Sequence, residues 1–280
     1  MTTRPFRFGV SLLTVGSRSS WRERARRVED LGYDVLQVPD HLGTTSPFPA
    51  LVAAADVTGI RLGTFVLNAG ALSPAYLARD VADVHRLTDG RLELGLGAGY
   101  VPAEFDAVGR PFGTAGERLR KLETVLAETR ALLAAQEDKP VPPVMLAGAG
   151  DRMLRLAARE ADFVGFSITA GISEGLTPRE ALASRVQVVR DAAGERFEDV
   201  ELNLFVAAVA DSVESLDLSI MRQATGLDDA FLAQLPGVLA GPPREIAERL
   251  QGLREELDIS YISVLEPHMA AFAEVIKHLR

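Results

Sequence analysis

The tripeptide Pro39-Asp40-His41 follows the apolar run Val35-Leu36-Gln37-Val38, so a carboxylate and an imidazole stand where a strand ends. Imidazole changes charge near neutral pH and can carry a proton to or from a reacting group. Of the four histidines, His85 falls in the helical stretch before Gly90, and His268 and His278 fall in the last one, leaving His41 alone with a strand-end position. The run Leu92–Tyr100 closes on Gly97-Ala98-Gly99, where missing side chains let backbone amides approach a flat ring or an anion. Glycines also end barrel strands for steric reasons alone, and both readings stand. Pro102 argues against a dinucleotide-binding Gly-x-Gly-x-x-Gly turn, because no helix is expected to begin there. Gly148-Ala149-Gly150, by contrast, opens directly into a helical pattern at Asp151, so its free amides and positive helix end suit a phosphate. A tight turn without ligand is the alternative. Tyr100 and Glu104 are candidate proton-handling groups, with solvated loop positions as the default for both. No His-x-His or His-x-x-x-His pair is present, which argues against a metal centre.

Strands must position these groups, and short apolar runs supply eight: Phe8–Leu13, Val35–Val38, Leu62–Leu67, Leu92–Leu96, Val144–Ala147, Phe163–Phe166, Leu202–Ala210 and Tyr261–Leu265. Several are continuously apolar, as expected of parallel strands covered by helices on both faces. Helical patterns alternate with them at Ser19–Leu31, Pro49–Val57, Pro74–Leu87, Thr114–Ala135, Asp151–Arg159, Pro178–Ala193, Pro242–Glu256 and His268–Leu279. Pro74, Pro178 and Pro242 or Pro243 suit a first helical turn, and Ser20 with Glu23 has the spacing of a capping box. Eight strand–helix units predict an α/β fold of the (β/α)8 barrel type, a single domain over residues 1–280 with its reactive groups at the carboxyl ends of the strands. A doubly wound open sheet is the alternative. Residues 211–240 break the rhythm with two weaker helical patterns, Val213–Met221 and Asp228–Gln234, and read as an insertion after the seventh strand: a cover for a ligand or a surface excursion.

Composition narrows the functions. With 280 residues, 47% apolar and 25% charged, the chain can build one large core. The absence of cysteine removes disulfides, thiolate metal sites and cysteine nucleophiles, so redox chemistry needs a borrowed cofactor. A formal charge of −9 disfavours nucleic acid and anionic membranes as partners. The apolar segment near the amino terminus is too short for a signal peptide or a membrane span, and the expected location is cytoplasmic.

Three motifs together resemble the bacterial luciferase-like flavin and deazaflavin oxidoreductases: Pro39-Asp40-His41; Leu62–Leu67 with Ser73–Ala78; and Thr88-Asp89-Gly90-Arg91 followed by Leu92–Gly99. The resemblance runs from residue 7 to about 168 and resumes at Gly241-Pro-Pro. It implies a barrel that holds coenzyme F420, or alternatively FMN, and exchanges hydride with a small organic substrate. It also implies roles for residues. Asp40 and His41 match the cofactor-side pair, with His41 moving a proton. Asn68 matches a polar ring contact, and Gly97, Ala98 and Gly99 match the backbone bed under the ring. Gly148, Ala149 and Gly150 match the phosphate turn, and Arg152 is the nearest basic residue for an anionic tail. A non-proline cis peptide is implied at Phe65–Val66, against the ring. Tyr100 replaces the glutamate of the family's sugar-phosphate dehydrogenases, which speaks against a sugar phosphate. A flavin-binding barrel without turnover is the non-enzymatic alternative, a homodimer is one assembly open to it, and substrate identity is not legible.

Overall fold

The computed structural model describes residues 4–136 and 141–280. In chain order the first elements are β1 (Arg7–Ser11), α1 (Arg18–Asp30), β2 (Val35–Val38), α2 (Pro47–Ala55), β3 (Arg61–Thr64), β4 (Leu67–Asn68) and α3 (Pro74–Leu87). There follow β5 (Leu92–Gly97), α4 (Pro102–Ala107), α5 (Ala115–Ala134), β6 (Val144–Gly148), α6 (Asp151–Glu160), β7 (Phe163–Phe166) and α7 (Pro178–Ala193). The chain ends with β8 (Glu201–Val206), β9 (Ala208–Ala210), α8 (Ser219–Thr225), α9 (Asp229–Leu232), β10 (Val238–Ala240), α10 (Pro243–Leu257), β11 (Ile259–Leu265) and α11 (Met269–Leu279). This repeat of strand and helix is the (β/α)8 barrel fold that the apolar runs predict.

Two compact units divide the chain. One comprises Ser11–Glu29 and Val35–Ala147; the other comprises Met1–Val10, Asp30–Asp34 and Gly148–Arg280. In the first, β2 pairs parallel with β3, β3 and β4 pair with β5, and β5 pairs with β6. Every residue of β5 is buried, including Glu93, whose carboxylate pairs with Arg61. Trp21 of α1 is buried and donates from Nε1 to the Ala50 carbonyl of α2 at 2.9 Å, so its one polar atom is satisfied inside the core. The Gly90-Arg91 motif proves to be a clamp. Gly90 has φ +76°, a conformation that glycine adopts freely, and turns the chain out of α3. Arg91 then donates to the carbonyls of Ala55, Thr58, Ile60 and Thr88 at 2.5–3.1 Å, fastening α2, α3 and the start of β3 to the start of β5.

In the second unit β7 pairs parallel with β8 and β8 with β11. Arg7 bonds Glu201 at 3.0 Å and stacks over Phe163 and Tyr261. Residues 211–240 form the expected insertion after β8, the seventh strand of the barrel. Its ends are held by a parallel pair, β9 with β10, and it carries its own apolar cluster of Ala208, Leu218, Leu232, Leu235 and Val238.

Several boundaries differ from expectation for local reasons. The third apolar run breaks into β3 and β4 because the Phe65–Val66 peptide between them is cis, as the resemblance implies. The seventh run breaks at Ala207, whose N–H bonds the Gly237 carbonyl of the insertion. Helix α2 begins at Pro47, earlier than Pro49, since Pro47 itself takes the first-turn position. The Ser20–Glu23 capping box does not form: α1 starts at Arg18, so Ser17 and Ser20 exchange side-chain bonds to each other's N–H. Pro74, Pro178 and Pro243 do occupy first turns, and Thr114–Glu117 and Thr177–Glu180 are complete capping boxes. None of the described helices is long and apolar enough to cross a membrane.

Candidate active site

His41 lies just past β2 in the first unit, and its two ring nitrogens are both engaged. Nδ1 lies 2.8 Å from Glu104 Oε1, and Nε2 lies 3.2 Å from the Tyr100 hydroxyl. The Glu104 side chain is 13% exposed, and the same oxygen accepts the Leu42 N–H at 3.2 Å. The sequence expectation that no helix begins at Pro102 is wrong. Proline lacks an N–H but needs none in a first helical turn, so Pro102 starts α4 and puts Glu104 on that turn, aimed at His41. Glu104 is therefore not a solvated loop residue. Tyr100 is 72% exposed, and its ring meets the imidazole edge to face with centroids 5.6 Å apart.

Asp40 turns the other way. Its Oδ2 accepts the Asn68 N–H at 3.0 Å, tying the end of β2 to β4. Burial pushes its carboxyl above the ordinary range and Glu104 adds to this, while the Asn68 bond and His41 oppose it. Asn68 Oδ1 in turn accepts from Gly70 N at 3.0 Å. Asp40 thus orders the backbone around His41.

The glycine run beside these groups is a bed with no room for side chains. A Cβ at Gly97 would come within 2.8 Å of Val66, and one at Gly99 would overlap Asn68 Oδ1 and approach Phe105 at 2.8 Å. Gly99 also holds φ +77°. At Gly95 a Cβ would overlap the Thr64 carbonyl, and Thr64 Oγ1 bonds both the N–H and the carbonyl of Gly95 at 2.8–2.9 Å. The structure thereby brings Val66 against Gly97 and Asn68 against Gly99, Asp40 ties Asn68 to the strand end that carries His41, and the Phe65 N–H bonds the Val38 carbonyl of β2. Two residues that sequence reasoning missed support this bed: Arg118 donates to the Gly99 carbonyl at 3.0 Å, and Phe105 packs under Gly70 and Gly99. Glu104 and Phe105 share the turn that opens at Pro102, and that proline was the signal.

In the second unit, Gly148-Ala149-Gly150 joins the end of β6 to α6. Gly150 is the residue preceding α6, no side chain caps that end, and a Cβ at Gly150 would meet open space. The first-turn amides of a ten-residue helix are thus left for water or an anion. Asp151 pairs with Arg185 and lies 3.8 Å from Arg155, and Arg152 is exposed. His268, assigned by sequence to the last helix, sits before it, on a short turn three residues beyond β11. It therefore also has a strand-end position; burial lowers its pKa, opposed by bonds to the Ala207 and Val209 backbone.

Comparison with known proteins identifies the family. The family model described as luciferase-like monooxygenase matches residues 3–217. The 5,10-methylenetetrahydromethanopterin reductase of Methanolobus tindarius is 26% identical over 257 residues, covering 86% of this chain and 74% of the reductase. The F420-dependent glucose-6-phosphate dehydrogenase of Kribbella flavida is 30% identical over 212 residues, covering 66% of this chain and 63% of the dehydrogenase. The solved structure of an F420-dependent secondary alcohol dehydrogenase with an F420-acetone adduct superposes with a TM-score of 0.77 at 16% identity, covering 99% of this chain and all of that one. This chain is an enzyme and belongs to the luciferase-like monooxygenase family.

Proposed function

We propose that the protein is an F420-dependent oxidoreductase that exchanges hydride between the deazaflavin ring and a small organic substrate. The observation that carries this reading is the Glu104–His41 pair, 2.8 Å apart, beside a glycine bed that admits no side chain. Hydride transfer is the chemistry that the cofactor supplies when bound. The residues do the rest. Gly97, Ala98 and Gly99 would support the ring through their backbone, beside Phe65, Val66 and Asn68. Asp40 keeps β2 and β4 in place. Glu104 holds the imidazole by Nδ1, which fixes its tautomer and leaves Nε2 to take part in proton movement. Gly148, Ala149 and Gly150 are assigned the cofactor phosphate, and Arg152 its anionic tail. Two of the relatives named above carry F420 in their names or titles, which favours the deazaflavin. The FMN-dependent monooxygenase reading is the second one, favoured by the family model's own description.

The test is titration of the apoprotein with each cofactor, followed by ring fluorescence. Saturable binding of F420 that FMN does not match supports the reading; micromolar binding of FMN with none of F420 overturns it.

A further inference from the structure

Neutral imidazole has one donor and one acceptor nitrogen, and a carboxylate only accepts. With Glu104 on Nδ1, neutral His41 therefore carries its proton there, and Nε2 presents a lone pair. The Tyr100 hydroxyl, 3.2 Å away, is then the donor to Nε2. The result is a directed chain: Tyr100 O–H to His41 Nε2, then His41 Nδ1–H to Glu104. Tyr100 is its outer end, with a 72% exposed side chain and a second lone pair on its oxygen.

We propose that Tyr100, through this chain, exchanges the proton with the substrate, and that the substrate is a neutral alcohol or the carbonyl compound it becomes. The proposal rests on the hydride-transfer reading above. In oxidation, the substrate hydroxyl proton passes to the Tyr100 oxygen while the Tyr100 proton passes to His41 Nε2. The carbinol C–H electron pair leaves as hydride to the deazaflavin or flavin ring, and the C–O bond becomes C=O. One hydride and one proton have left the alcohol, and the proton rests on an imidazolium beside the Glu104 carboxylate. Reduction runs the same steps backwards, starting from that imidazolium.

The contact at Nε2 favours Tyr100 over His41 as the group that meets substrate, and the charge around it bears on the substrate class. Nε2 is already covered by the phenol, so a substrate oxygen could reach it only by displacing Tyr100. Desolvation, then the Glu104 carboxylate, pushes the Tyr100 phenol above its ordinary value, so it meets substrate as a phenol and not as a phenolate. The charged group acting on it is the Glu104 carboxylate, with Leu42, 59% exposed, bonded through its N–H to the same carboxylate, and Arg118 committed to the Gly99 and Gly113 carbonyls. That setting repels a phosphate or carboxylate and accepts a neutral molecule.

The experiment has two arms. In the apoprotein, 15N resonances of the His41 ring are recorded for wild type, Tyr100→Phe and, as a control, Tyr76→Phe, another exposed tyrosine on α3. The expected result is a protonated Nδ1 and a hydrogen-bonded Nε2 in wild type, with Nε2 shifting toward a free lone pair in Tyr100→Phe alone. In the F420-loaded protein with 2-propanol as probe, Tyr100→Phe should lower kcat by roughly tenfold or more, leave KM within about threefold and change the pH dependence of kcat. Ring nitrogens identical in wild type and Tyr100→Phe overturn the proposal whatever the cofactor. A shifted Nε2 with unchanged kcat overturns it too, since Tyr100 would then be a cap alone. Wild-type protein inactive on 2-propanol and on acetone counts against the substrate class, and inactivity with every cofactor counts against the functional reading instead.

Discussion

One oxygen of Glu104 accepts both from His41 Nδ1 at 2.8 Å and from the Leu42 N–H at 3.2 Å, so a single carboxylate fixes the imidazole and the backbone that follows it. Removing the imidazole and removing the charge that holds it should then be separable. His41→Ala is expected to lower turnover by about 10²-fold or more while cofactor affinity stays within about tenfold. Glu104→Gln keeps an acceptor oxygen but loses the charge, and should give an intermediate loss of kcat with near-normal stability. Steady-state kinetics with fluorescence titration of each variant checks both.

The phosphate assignment gives a substitution that should weaken binding without harming the fold. Gly150 has ordinary backbone angles, φ −77° and ψ 143°, directly before α6, and open space around its missing Cβ. Asp is a favoured residue there, so Gly150→Asp should leave the melting temperature unchanged or slightly raised. The same carboxylate occupies the place of an anion. Cofactor affinity is expected to fall at least about tenfold, an outcome read by titration alongside the melt.

Gly95 is the opposite case. Its Cβ would overlap the Thr64 carbonyl oxygen, and neither strand has a flexible side chain to move aside. Gly95→Ala is expected to cost about 1–3 kcal/mol or more, the usual scale of overpacking a core. Urea unfolding followed by circular dichroism measures it, with Gly150→Ala as the unhindered comparison.

Arg91 makes a further prediction about stability alone. Its guanidinium serves four carbonyls, from Ala55, Thr58, Ile60 and Thr88, and none belongs to the candidate site. Arg91→Ala should lower stability by roughly 1–3 kcal/mol, because the Ala55, Thr58 and Ile60 carbonyls lose their guanidinium donor while Thr88 keeps the backbone N–H of residue 91. Arg91→Lys should recover little, because an ammonium cannot fork to four oxygens. The midpoint of urea unfolding distinguishes the three proteins.

His85 predicts the acid side of the stability curve. It is 7% exposed, and its pKa is lowered by burial and then by Arg61. A folded-state value below the unfolded 6.5 means that the unfolded chain binds the extra proton. The stabilisation is therefore complete above about pH 6.5 and is lost as pH falls toward the folded value. His268 is lowered too, so His85→Leu should flatten only part of the slope. Unfolding free energies between pH 5 and 8 in both proteins provide the check.

The strands were legible because burial on both faces leaves continuous apolar runs such as Val144–Ala147. The glycine clusters were legible because few other residues permit so close an approach. What stayed hidden depends on contacts distant in sequence or on one backbone bond. His41 and Glu104 are 63 residues apart, and no periodicity connects them. Phe65 and Val66 are as apolar as a continuous strand, so the break there showed only through the family resemblance. Pro102 was read as a barrier when it was a first helical turn. Arg91 was part of a recognised motif, but its role as a clamp needed four carbonyls to be seen around one side chain.

The parallel pair of β9 and β10 fastens the two ends of residues 211–240 side by side, and Leu218, Leu232 and Leu235 fill the interior of that excursion. A segment closed at its neck, whose apolar cluster is shared with Ala208, Ile168 and Ile172, answers to constraints from the strand ends as well as from within. A substitution at Leu218, Leu232 or Leu235 is therefore felt at the turn after β7, where Ile168 and Ile172 lie, as well as inside the excursion.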